Sequence, residues 1–155
     1  MQTIHLTPDF KEFIESFNRN GVEYALIGGY AVAYHGWPRA TKDIDFFVND
    51  SRENLERVMK ALAEFFGMTV DPQTTEEFYR GNSFLVFGQE PNRIDILKNI
   101  QGVKFQEISR INAIIDGISV PVIDLDSLLK NKRVAGRDQD LVDVRKLEQR
   151  RVKKP

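Results

Sequence analysis

The sequence predicts an α+β fold, a short twisted mixed β-sheet flanked by helices and closed by a helical C-terminus. Short apolar runs bounded by glycine or polar turns recur along the chain and read as strands. Between them lie apolar stripes with helical spacing. The long alternation of strand and crossover helix that a parallel dinucleotide-binding sheet requires is missing. The single glycine-rich turn, Gly28-Gly29, also lacks the third glycine of such a site.

Taken in order, Thr7-Pro8-Asp9 is a helix start, with Thr as N-cap, Pro at the first helical position and an acid in the first turn. Phe10, Phe13, Ile14 and Phe17 follow as one apolar stripe, and Asn20-Gly21 stops the helix. A strand is predicted over Tyr24–Ile27, a glycine turn at Gly28-Gly29, a short helix over Tyr30–His35 and a second strand over Ile44–Val48. Asn49-Asp50-Ser51 caps the next helix, whose buried face is Leu55, Val58, Met59, Leu62, Phe65 and Phe66, and Gly67 ends it. A short strand is expected at Met68–Val70, then a loop or irregular helix from Asp71 to Asn82. Phe84–Phe87 and Ile94–Leu97 read as strands, and Ile114–Val122 as a hairpin with Asp116-Gly117 at its tip. Two helices, about Leu125–Val134 and Gln139–Arg150, complete the chain, separated by Gly136.

The 155 residues, with 41% apolar and 29% charged side chains, are expected to form one domain spanning 1–155, with the helices from about 125 packed on it. No apolar run approaches the roughly 18 residues of a membrane span, so no membrane association is expected. The N-terminus lacks the basic start and apolar core of a secretion signal. Zero cysteines exclude disulfides and thiolate metal sites. Together these features point to the cytoplasm. The net charge of −1 gives no general bias toward polyanions, and the basic tail at 150–155 reads first as a solvated helix end.

The chemistry concentrates between Tyr24 and Val48. Side chains two apart on a strand share a face, so Asp43 and Asp45 project side by side while Ile44 turns into the core. Two adjacent carboxylates repel, and a divalent cation relieves the repulsion. Aspartate is disfavoured in strands, so an exposed pair with no ligand is the plainer alternative and the less economical one. Gly28-Gly29 turns the chain sharply and offers bare backbone N–H groups to a phosphate; a tight turn alone would also call for glycine.

The double glycine, the DID spacing and the longer string GGYAVAYHGWPRATKDID resemble the nucleotidyltransferase superfamily that includes DNA polymerase β, and within it the small prokaryotic AbiEii-toxin-like branch. The C-terminal string SLLKNKRVAGRDQDLVDVRKL resembles the same branch, so the likeness runs from about residue 22 to about residue 148. It implies the nucleotidyltransferase fold and transfer of a nucleoside monophosphate from a triphosphate to a hydroxyl on RNA, protein or a small molecule. Asp43, Asp45 and Asp95, the last in RIDIL, would then be the catalytic and metal-binding acids, holding two Mg²⁺ ions, with Mn²⁺ as the alternative. The flanking isoleucines of Asp95 would face the core and leave that acid on a polar or solvated face. Gly28, Gly29, Arg39, Thr41, Lys132 and Arg137 would serve nucleotide and phosphate binding. The superfamily often carries Ser where this chain has Gly29, so that contact would fall to backbone N–H.

Each side chain also has a simpler role open to it. Arg39 is placed to pair with a triphosphate oxygen or with Asp43, Asp95 with Arg93 or Lys98, and Lys132 and Arg137 to decorate a charged helix surface. Asp138, Asp140 and Asp143 read as caps of the last helix and partners of Arg137 or Arg145. His35 reads as a capping or packing residue, and Trp37 lies in a loop beside the acids. The partners expected are a nucleoside triphosphate, an acceptor such as tRNA or protein, and a partner protein or second copy, in a toxin–antitoxin setting. Two competing readings are a catalytically silent scaffold acting as antitoxin or regulator, and a two-metal phosphohydrolase.

Overall fold

A computed structural model describes residues 4–81 and 84–153. In chain order the elements are α1 (Pro8–Arg19), β1 (Tyr24–Ile27), α2 (Gly28–Tyr34), β2 (Asp43–Val48), α3 (Arg52–Phe66), α4 (Pro72–Arg80), β3 (Leu85–Phe87), β4 (Arg93–Leu97), β5 (Arg110–Ile115), β6 (Ile118–Ile123), α5 (Leu125–Ala135) and α6 (Asp138–Lys153). The sheet runs β3-β4-β2-β1-β6-β5. β2 pairs antiparallel with β1 and parallel with β4, and β1 pairs parallel with β6, so the sheet is mixed.

The apolar stripe of α1 builds the core. Phe13 packs on Phe17 at 4.5 Å and on Phe46 of β2 at 5.2 Å, and Phe17 meets Tyr24 of β1 at 5.1 Å. Leu55, Val58 and Leu62 of α3 are buried in the same cluster, and the Ser16 hydroxyl donates to the Ala61 carbonyl at 2.9 Å. Ile44, Phe46 and Val48 are fully buried. By strand alternation Asp43, Asp45 and Phe47 occupy the other face.

Three local expectations change. Asp71–Arg80 is regular: Asp71 accepts a hydrogen bond from Thr74 N at 2.9 Å, Pro72 opens α4 and Phe78 anchors it in the core. This is the N-cap and proline signal that also begins α1, masked here by a polar composition that leaves one buried residue. Lys98, buried just after β4, donates to the Phe78 and Gly81 carbonyls and fixes the end of that helix. Asn82, at the end of the stretch expected to be irregular, and the last two residues of the basic tail lie outside the described residues. Met68–Val70 forms no strand, because only three residues separate the left-handed cap Gly67 from the N-cap Asp71, and Met68 is 70% exposed. The short helix begins at the glycines themselves, not at Tyr30. Asp116 and Gly117 both take positive φ, the geometry expected of a two-residue hairpin turn.

Candidate functional site

Three carboxylates converge on the face of the sheet opposite Phe46. The parallel β2–β4 register places Asp95 beside Asp45 and Arg93 beside Asp43. Asp43, Asp45 and Asp95 each offer an oxygen, and these atoms lie within 4.8 Å of one another. Asp95 is buried at 7% exposure, unlike the solvated position its sequence neighbours imply. Its partner is Arg93, whose Nε donates to Oδ1 at 2.8 Å and Nη2 to Oδ2 at 3.0 Å.

The crowding has an electrostatic signature. Burial, then the charges of Asp43 and Asp95 and a hydrogen bond with Asp95, push the Asp45 carboxyl up to about 7, and the Lys132 ammonium offsets part of this. Tyr30, on α2, feels the same cluster: burial and then the Asp43 charge raise its phenol above the usual value. Nothing in the sequence pattern marks Tyr30, which follows the glycines on a short apolar helix.

The two glycines are seats for these side chains. Gly28 has φ +68°, and a β-carbon there would stand 2.2 Å from Asp45 Oδ2. A β-carbon at Gly29 would stand 2.8 Å from Cβ and Oγ1 of Thr41 and 3.4 Å from Arg39 Nη1. The Thr41 hydroxyl donates to the Asp43 carbonyl at 3.0 Å, which ties the loop to the start of β2. As the first positions of α2, Gly28 and Gly29 also present N–H groups without intrahelical acceptors.

The cations form a buried network that the sequence does not announce. Arg39 pairs with Asp143, through Nε to Oδ1 at 2.9 Å and Nη2 to Oδ2 at 3.1 Å, and not with Asp43. Lys132 is buried, not spread on a helix surface, and its ammonium lies 3.2 Å from Asp140 and 3.0 Å from Asp143. Arg137 is exposed and donates from Nε to Asp140 at 2.7 Å. Burial opposes ionisation of Asp140, but the hydrogen bonds from Arg137 and Lys132 outweigh it and hold that carboxyl below the usual range. Asp143 is fully buried and accepts from Arg39 and Gln139 as well as facing Lys132, so it is a polar core residue joining α5, α6 and the Arg39 loop. Its partner Arg39 is 104 positions away, beyond any local spacing rule.

The structure therefore groups Asp43, Asp45, Asp95, Gly28, Gly29, Thr41 and Arg39 by contact. Lys132 and Arg137 are linked to Asp45 by charge. His35 packs as expected, its Nε2–H donating to the Ile123 carbonyl at 2.7 Å. The Trp37 ring lies under Lys146 at 5.1 Å, and its Nε1 is buried without a hydrogen-bond partner among the described residues. A cavity of about 530 Å³ lined in part by Phe47, Lys98, Val103 and Phe105 includes none of the three acids.

A family model described as "Nucleotidyl transferase AbiEii toxin, Type IV TA system" matches residues 13–155. The chain belongs to the AbiEii nucleotidyltransferase family. Nucleotidyl transfer is thus its activity class. No curated protein sequence matches it. Several solved structures share its fold. The lincosamide antibiotic adenylyltransferase LnuA, solved with lincomycin bound, superposes with a TM-score of 0.54 at 14% identity, over 94% of this chain and 98% of that one. TM1012 of Thermotoga maritima, a candidate nucleotidyltransferase, gives 0.56 at 14% identity over 90% of each chain. An antigenic nucleotidyltransferase-like protein of Paracoccidioides brasiliensis gives 0.52 at 16% identity, over 90% of this chain and 73% of that one. At these identities the likeness carries the fold. No described helix is long and apolar enough to cross a membrane.

Proposed function

We propose that this AbiEii-family protein transfers a nucleoside monophosphate from a triphosphate to an acceptor hydroxyl with the help of divalent cations. The observation that carries the reading is the convergence of three carboxylates within 4.8 Å beside the double-glycine turn. The donor set fits a hard cation: all three ligands are carboxylate oxygens, as Mg²⁺ or Mn²⁺ prefers, and the raised Asp45 carboxyl records the repulsion a cation would relieve. Asp43, Asp45 and Asp95 would hold the metal. Bound there, the metal would neutralise phosphate charge and polarise the reacting oxygens.

The chain's own residues supply the remainder. The N–H groups of Gly28 and Gly29 would donate to phosphate oxygens, and the absence of β-carbons keeps Asp45 and Thr41 close. Lys132 and Arg137 set a positive field at the acids, and Arg39 and Thr41 shape the adjoining loop. Asp95, beside Asp45 in the β2–β4 register, is the candidate general base for the acceptor hydroxyl. The toxin description of the family supports an acceptor of cellular importance, such as tRNA or a protein, a cytoplasmic setting and an antitoxin-type partner.

Product analysis tests the proposal. The full chain is incubated with each α-labelled triphosphate, Mg²⁺ or Mn²⁺, and tRNA or protein acceptors. Labelled acceptor with released pyrophosphate supports transfer. Free monophosphate means hydrolysis, and metal-independent partner binding without turnover means the silent scaffold.

A further inference from the structure

Arg93 and Asp95 stand two residues apart on β4, so both share the face that carries Asp43 and Asp45. Three carboxylates and one guanidinium thus form a square across two parallel strands. The guanidinium is committed to a single acid: its two bonds engage both oxygens of Asp95. Among the described residues Asp43 and Asp45 form no ion pair. A divalent cation that draws on Asp95 must therefore share an oxygen with the Arg93 guanidinium and meet its positive charge at close range.

The pair is poised for exchange. The Asp95 side chain is 10% exposed, so water screens the contact poorly and the bidentate geometry is a strong one. The Arg93 side chain is 37% exposed, which leaves the guanidinium a path into solvent. We propose that Arg93 is a resident counter-cation of the acid cluster, a positioning residue that a divalent cation displaces from Asp95. While seated, it orients Asp95 and lowers the affinity of the cluster for free metal. Once displaced, it carries its positive charge and five N–H donors to the edge beside Asp43, where a triphosphate would need them. Metal loading is thereby tied to nucleotide arrival. The inference rests on the metal reading above.

Mn²⁺ binding to the full chain without nucleotide, followed by loss of the free-ion electron paramagnetic resonance signal, tests it. Arg93→Gln is expected to bind Mn²⁺ about tenfold more tightly than the wild type, because one nearby positive charge is gone, with Arg93→Lys between the two. Equal or weaker binding by folded Arg93→Gln overturns the exchange and leaves the metal reading intact. Absence of Mn²⁺ binding in both proteins, with or without ATP, overturns both. If Arg93→Gln does not fold, the wild type decides. On Mg²⁺ titration the Arg93 Nε–H resonance should shift and lose protection from water; a resonance that stays fixed while Mg²⁺ binds overturns the exchange.

Discussion

Gly28 lies directly beneath Asp45: a β-carbon added to the glycine would stand 2.2 Å from the carboxylate Oδ2. The turn and the acid are therefore one unit, although 16 residues of helix and loop separate them in sequence. The first glycine is required by geometry, since its φ of +68° is one that L side chains rarely adopt.

Gly28→Ala should accordingly be costly. The left-handed conformation alone costs an alanine about 1–2 kcal/mol, and the new methyl group must displace Asp45. The expected result is a lower melting temperature together with weakened Mn²⁺ binding. Gly29→Ala, whose β-carbon meets Thr41 at 2.8 Å without a positive φ, should lose less. Thermal denaturation and metal titration of the two variants side by side check the order.

Stability should fall with rising pH in the absence of metal. The Asp45 carboxyl sits at about 7 in the folded protein against 3.8 for a free aspartate. Between these values the folded state holds a proton that the unfolded state has released, so deprotonation favours unfolding. The Asp45 contribution is thus full below about pH 4 and is lost by about pH 7, whereas Asp140, held below the usual range, contributes stability that is lost only in more acidic solution. Melting temperatures across this range in EDTA should show the decline, and saturating Mg²⁺ should flatten it.

Asp45→Asn removes the same repulsion chemically. With metal chelated at pH 8 it should be more stable than the wild type by about 1–3 kcal/mol, a discounted conversion of the carboxyl shift. At pH 4 the two should converge. Urea denaturation at both pH values measures the difference, and metal binding by the variant should be lost.

The buried network makes a separate prediction. Asp143→Ala leaves Arg39 and Lys132 without their shared acid, and removing one partner from a buried ion pair costs about 3–5 kcal/mol. Asp143→Asn, which keeps the shape and some hydrogen bonds, should cost less. Chemical denaturation ranks the two, and the Arg39 loop should become more accessible to protease in both.

What could be read from the sequence follows the range of the forces involved. The unit from β1 to β2 was legible because strand alternation, a glycine turn and the Asp43–Asp45 spacing are all local. Helix α1 and the Asp116-Gly117 hairpin were legible for the same reason. Helix α4 carried a local start signal at Asp71-Pro72, but one buried residue, Phe78, gave its periodicity little weight. Asp95 was identifiable as an acid on a strand, whereas its place beside Asp45 depends on the β2–β4 register. Asp143 was out of reach: its role depends on Arg39 and Lys132, which only the tertiary fold brings to it.

The most direct measurement is calorimetric titration of the four nucleoside triphosphates into the wild type and into Asp43→Ala/Asp45→Ala, each with and without Mg²⁺. The expected result is binding that requires Mg²⁺ and vanishes in a folded double variant. Binding of equal strength in the double variant, or none by well-folded wild type with Mg²⁺ present, would contradict it.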